Sequence, residues 1–196
     1  DCPSTLVPMW CFAGTFYGLG HTLRNYNMVD TQALTGNYIY FGMFRFTWNG
    51  IASVVISDLN VQYRYTNVPT FVGGFFGTAT GASSLYMLNV HTVGTISRAT
   101  PRGIGCIGGG FIGVVQNTAS TGASNAYLYR CSTKLNYNIV ETGTSNQSNF
   151  AGGFIAACWA RANAFFTDCM ADLKYNSNFT NTNCYNLAGA LIGYCN

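Results

Sequence analysis

Eight cysteines carry the most reactive chemistry in this sequence: Cys2, Cys11, Cys106, Cys131, Cys158, Cys169, Cys184 and Cys195. No two are spaced as C-x-x-C, which removes the basis for a zinc ribbon or a thioredoxin-type redox motif. An even number in a chain so poor in charge favours disulfides, formed in an oxidising compartment. Acid–base chemistry has less to draw on. The carboxylates are Asp1, Asp30, Asp58, Glu141, Asp168 and Asp172, and the histidines are His21 and His91. Only Asp168 and Asp172 lie close together, with Arg161 and Lys174 nearby. That group reads as a solvated charge pair, short of the carboxylate cluster that polysaccharide cleavage needs. A nucleophile–histidine triad can be drawn through either histidine, yet no G-x-S-x-G elbow is present and the cysteines read as disulfide partners. Two histidines without a near partner make a poor metal site. The runs Gly103-Ile104-Gly105 and Gly108-Gly109-Gly110 lack the lysine and hydroxyl of a phosphate loop and read as tight turns. The expectation is a chain with no catalytic, cofactor-binding or metal residues. Two sequons, Asn146-Gln147-Ser148 and Asn178-Phe179-Thr180, make Asn146 and Asn178 candidates for N-glycosylation.

A recurring glycine-led motif indicates the elements that would position these side chains. It reads Gly73-Gly74-Phe75-Phe76-Gly77, Gly109-Gly110-Phe111-Ile112-Gly113, Gly152-Gly153-Phe154-Ile155-Ala156 and Gly189-Ala190-Leu191-Ile192-Gly193. Gly14-Thr15-Phe16-Tyr17-Gly18 fits the same template, and Phe41-Gly42-Met43-Phe44 fits it loosely. Such self-similarity marks a repeat architecture. A second apolar-alternating segment follows each motif: Val54 to Val61, Leu85 to Val90, Tyr127 to Cys131 and Phe165 to Cys169. Short β-branched or aromatic runs bounded by Gly, Asn and Ser read as strands. One repeat is therefore expected to be strand, turn, strand and a connection of variable length.

The fold class is all-β, a β-solenoid with uneven loops and disulfides. The alternative is a β-sandwich in which Gly-Gly-aromatic recurs by composition. Residues 1–40 read as an N-terminal segment that caps the stack or donates a strand, and residues 41–196 as one continuous solenoid. The alanine-rich stretch 156–164 also reads as a short helix. Strand alternation puts one of each adjacent pair, Phe75-Phe76 or Phe111-Ile112, on the outside, where it would need cover. By the same register Asp58 and Asp168 stand one residue apart, in well-separated coils. Cys158 and Cys195 each lie six residues after the first glycine of a motif, and Cys11 and Cys106 each three before one. Cys131 and Cys169 match in their second strands. Residues stacked in neighbouring coils have the separation a disulfide requires. The expected pairs are Cys158–Cys195 and Cys131–Cys169, with Cys2, Cys11, Cys106 and Cys184 pairing among themselves or with another chain.

The motif Gly109-Gly110-Phe111-Ile112-Gly113, a polar gap, then a strand holding Cys or Asn (Tyr129-Arg130-Cys131-Ser132; Leu88-Asn89-Val90) resembles the GLUG-type repeats of large secreted and surface proteins of bacteria and protists. The match runs from about Phe71 onward, with a degraded match upstream. The resemblance implies a right-handed β-solenoid and a surface role such as adhesion or wall building. The chain departs from the family in its longer, uneven loops, its many aromatics and its cysteines, and no catalytic residue carries over.

Composition agrees with an exterior setting. Charged residues make up 8% of the chain and the net charge is +3, so polarity rests on Asn, Thr, Ser and Gly. A neutral polar surface offers little like-charge repulsion to keep copies apart. Arg and Lys are scattered singly, without the basic run a nucleic-acid partner needs. No apolar stretch is long enough to span a bilayer as a helix. The opening Asp1-Cys2-Pro3 resembles a processed mature start. The leading expectation is a secreted structural subunit of a filament, surface appendage or wall layer, forming a homo-oligomer or homopolymer through exposed solenoid edges. A cell-surface adhesin or carbohydrate-binding module, using Tyr and Trp to stack on glycans, is the alternative. A β-helix enzyme acting on polysaccharide is the third reading.

Overall fold

The computed structural model describes residues 2, 6–29, 40–47, 53–81, 84–99, 105–117, 122–141, 148–179 and 185–196. Within them the chain is all-β and winds through three parallel sheets. The first coil holds β1 (Met9–Phe12), β2 (Gly14–Tyr17) and β3 (Thr22–Val29); the second holds β4 (Tyr40–Phe41), β5 (Phe44–Thr47) and β6 (Ser53–Thr66). The third holds β7 (Phe71–Gly73), β8 (Phe76–Thr80) and β9 (Ser84–Arg98). The fourth holds β10 (Ile107–Gly109), β11 (Ile112–Gln116), β12 (Ser124–Tyr129) and β13 (Ser132–Glu141). The fifth repeats this with β14 (Asn149–Gly152), β15 (Ile155–Trp159), β16 (Ala162–Thr167) and β17 (Met170–Phe179), and β18 (Asn186–Gly189) and β19 (Ile192–Cys195) follow.

One sheet has six strands, β1-β5-β8-β11-β15-β19, and another has five, β18-β14-β10-β7-β4. The third has eight, with β6 and β9 each spanning the width that β2–β3, β12–β13 and β16–β17 cover as two strands. Equivalent residues of successive coils lie side by side, as in Phe76, Ile112, Ile155 and Ile192. This is a β-solenoid-like stack, and the β-sandwich alternative falls because every pairing among the described residues is parallel.

Two expectations about the repeat need correction. The second to fifth coils each have three sides instead of two strands, because the glycine motif itself spans a corner between two sheets. In the third coil Gly73 closes β7, the chain turns at Gly74-Phe75, and Phe76 opens β8. The turn interrupts strand alternation, so both Phe75 and Phe76 point inward, as do Phe111 and Ile112, and all four are fully buried. No outside cover is needed. The stretch 156–164 is also strand and corner, forming most of β15 and the start of β16. Alanine's helix propensity is weak beside the two ladders that β15 makes with β11 and β19.

Glycine is required where coils approach most closely. A methyl at Gly109 would sit 2.1 Å from the Ile112 carbonyl, and one at Gly110 would sit 2.0 Å from the Gly153 carbonyl of the next coil. Inside the stack, Gly94 makes room for the ring of Tyr63, whose Cζ lies 2.0 Å from where a Cβ would be. Gly94→Ala should therefore overpack the interior and lower unfolding free energy by about 1–3 kcal/mol, read from chemical denaturation. An unchanged midpoint would show that the ring moves aside without cost.

Candidate functional site

A column of left-handed residues bends the eight-stranded sheet. Asp58, Asn89, Arg130 and Asp168 have φ of 52°, 53°, 52° and 52° and stack coil over coil. Asp58 and Asp168 thus share one register position, not positions one residue apart, with two coils between them. Asn and Asp tolerate this conformation because their short polar side chains bond locally.

Beyond the bend, outward side chains of β3, β6, β9, β13 and β17 line an open groove of about 480 Å³. At its upper end four residues form a chain of hydrogen bonds. Asn89 Nδ2 donates to Asp58 Oδ1 at 2.8 Å, so Asn89 turns its Oδ1 to His91 Nε2 at 3.2 Å. An amide oxygen only accepts, which puts the imidazole proton on Nε2. Nδ1 of the neutral ring then accepts from the Ser132 hydroxyl at 2.8 Å. A hydroxyl, a base and an orienting amide therefore stand in order, the arrangement that activates a serine nucleophile. Acyl transfer also needs oxyanion donors beside the hydroxyl. β13 is flanked by β9 and β17 on both edges, so the backbone N–H groups around Ser132 are taken up by the ladder. The chain acts as a polar ladder that ties three coils together, like Thr92 to Thr133 at 2.9 Å and Asn176 to Asn138 at 2.9 Å.

The predicted reactive residues fall out as follows. Asp172 pairs with Lys134 of the adjacent strand at 3.7 Å, both largely exposed; Lys134 is not among the residues expected beside it. Among the described residues no three of His, Cys, Asp and Glu come together as a metal site would need. Cys158 and Cys195 are register partners in β15 and β19, and Cys131 and Cys169 occupy the same place in adjacent coils, just before Ser132 and Met170. Neither pair is bonded in this structure. Burial pushes Cys131 and Cys158 up to about 12, with the neighbouring sulfur adding to the shift. Cys106 lies beside Tyr137 and Tyr175, and Cys2 beside Tyr26 and Tyr65. Cys11, in β1, has Phe46 as its register partner. Asn178 is exposed on β17. Asp1, Asp30, Gly103, Ile104, Asn146, Thr180 and Cys184 lie outside the described residues.

Outward aromatics, half-buried in Tyr86 and Tyr127 and exposed in Phe165, form their own ladder. Tyr86, Tyr127 and Phe165 stack with centroids 4.9 and 4.8 Å apart and planes within 10° and 9° of parallel. Their faces are turned to one another, which leaves edges for solvent. The Asn89–His91–Ser132 chain escaped the sequence reading, although superposing Leu88-Asn89-Val90-His91 on Tyr129-Arg130-Cys131-Ser132 places His91 over Ser132.

No protein-family model matches the chain, and neither the curated proteins nor the solved structures yielded a match. The GLUG-type resemblance therefore rests on the motif alone.

Two outcomes follow from the buried thiols and phenols. Mild oxidation should link Cys131 to Cys169 and Cys158 to Cys195, because a rung spacing of about 4.8 Å suits a disulfide. Peptide mapping checks this, and Cys131 joined to Cys158 would contradict the register. The second outcome is alkaline unfolding. Burial raises Tyr26 from 10.0 to about 12 and Cys131 from 9.0 to about 12, and it raises Tyr63, Tyr65 and Tyr137 as well. These groups hold their protons more tightly when folded. Their contribution is complete below the unfolded values and is lost as pH rises toward the folded ones. Stability measured by denaturation should be flat to about pH 9 and fall steeply between about 9 and 12; a flat profile to pH 12 would refute the assignment.

Proposed function

We propose that the chain is a structural subunit of an extracellular filament, surface appendage or wall layer, assembling through the open edges of its solenoid. One observation carries this reading: the interior of the fifth coil is uncovered on its far side. In β12 and β13 the inward residues Leu128, Leu135 and Tyr137 are at most 1% exposed. The residues that stack on them, Phe166, Leu173 and Tyr175, are only half-buried. Among the described residues no strand pairs with β16 or β17 on that side. Monomeric proteins guard such edges with proline or inward charge. β16 and β17 contain no proline, and their only charges, Asp172 and Lys174, point outward and leave the inward row unguarded.

An unpaired ladder beside an apolar strip favours strand addition, and repeated head-to-tail contacts build filaments. The low charge of the chain and the GLUG-type resemblance support the same setting. The 196-residue chain should show concentration-dependent growth by sedimentation and fibres by electron microscopy. Leu173→Lys, which places a charge in the inward row, should hold it monomeric with its β circular-dichroism signal retained. A uniform wild-type monomer at all concentrations would remove the proposal.

A further inference from the structure

Beyond the bend, the outer face of the eight-stranded sheet carries a strip of positive charge. Two outward columns can be followed through the ladders. One runs through Gln62, Val93, Lys134 and Asp172, with Arg24 at its first-coil end. Its neighbour runs through Asn27, Arg64, Thr95, Asn136 and Lys174. Arg24, Arg64, Lys134 and Lys174 are all exposed. Among the described side chains of the strip Asp172 is the one carboxylate, and Lys134 is the one cation of the four that it pairs. We propose that the groove along this strip binds an acidic polysaccharide, a chain bearing carboxylate or sulfate groups, laid across the strands and parallel to the stack.

The shape of the groove asks for an extended ligand. Its lining comes from all five coils, Arg24, Gln62, Val93, Lys134 and Asp172 each standing on a different one. Four steps of about 4.8 Å make a floor about 19 Å long. An extended pyranose chain advances by close to one rung per sugar, so successive sugars meet equivalent positions. The cations stand on the first, second, fourth and fifth rungs, and a groove lined by one sign of charge concentrates a polyanion. Arg24 and Arg64 add a planar fork that matches carboxylate or sulfate oxygens. Val93 and Met170, 54% and 71% exposed, offer apolar steps to the C–H faces of the rings. Asn60 and Gln62 offer amides to the hydroxyls.

Charge is also the feature that separates this ligand from its rivals. The described outward side chains of the strip include no Phe, Tyr or Trp. Single-stranded nucleic acid stacks its bases on such rings, and a neutral glycan without ionic contacts depends on them too. The outward aromatics Tyr86, Tyr127 and Phe165 lie on the other side of the bend with their faces turned to one another. The site is independent of how copies assemble, since its side chains face outward from the flank of the stack.

The full-length chain, titrated calorimetrically at low ionic strength with polygalacturonate, dextran sulfate, neutral dextran and oligo(dT), tests the site. One or both acidic glycans should bind, the tighter naming the acidic group, and dextran should not. Arg64→Gln combined with Lys174→Gln should weaken that binding about tenfold. Arg45→Gln, on the six-stranded sheet against Trp10, should leave it unchanged. Val93→Trp fills the groove while keeping every charge and should weaken binding as well. Circular dichroism checks that each variant folds. No binding of either acidic glycan, equal binding of dextran, tighter binding of oligo(dT), or an equal loss from Arg45→Gln would each overturn the site. A Val93→Trp variant that binds like wild type would overturn the groove and leave only surface charge.

Discussion

The close approach of one coil's corner to the next is the constraint from which the rest of the structure follows. Parallel strands hold neighbouring coils about 4.8 Å apart. At that spacing a corner has room for backbone and little else, and the glycine pairs supply it; a methyl at Gly74, Gly110 or Gly153 would come within 2.2 Å of a carbonyl oxygen of the next coil, and one at Gly73, Gly109 or Gly152 within 2.1 Å of a carbonyl that closes its own turn. The sharp turn then carries two consecutive apolar residues inward. Phe75, Phe111 and Phe154 stack edge to face at 5.5 and 5.0 Å, the geometry that ring quadrupoles favour. A corner of larger residues would hold the coils apart and break the ladders on all three sides.

The interior is not uniformly apolar, and its polar atoms serve the same corners. Tyr65 donates its hydroxyl to the Gly74 carbonyl at 2.7 Å, and Tyr137 donates to Cys106 at 2.8 Å. Arg98, fully buried, donates to the carbonyls of Val68 and Pro69. Each bond adds a side-chain donor to a backbone carbonyl near a turn, and the Gly74 and Cys106 carbonyls also accept from Met43 and Phe150 N–H of neighbouring coils. The Asp58–Asn89–His91–Ser132 chain has the same origin. Rung spacing brings small polar side chains into hydrogen-bond reach wherever they stack.

End faces follow from the winding. A coil crosses the six-stranded sheet before the eight-stranded one, so the described chain holds β19 without a companion layer beyond β16–β17.

Much of this was legible in the residues. Gly-Gly-Phe-Ile recurs because a tight corner and a narrow interior select those types, and Cys158 and Cys195 stack where their distance from the motif places them. The burial of both Phe75 and Phe76 was not legible, because alternation holds only within a strand and the corner position is set by neighbouring coils. Nor was the helix-like stretch 156–164 resolved, since local propensity is overruled by two flanking ladders. Residue types and their repetition were enough to determine a parallel stack and the order of its layers. Only the tertiary structure decided that the coils turn through three sheets and that His91 meets Ser132, because those depend on where the chain turns in space relative to its neighbours.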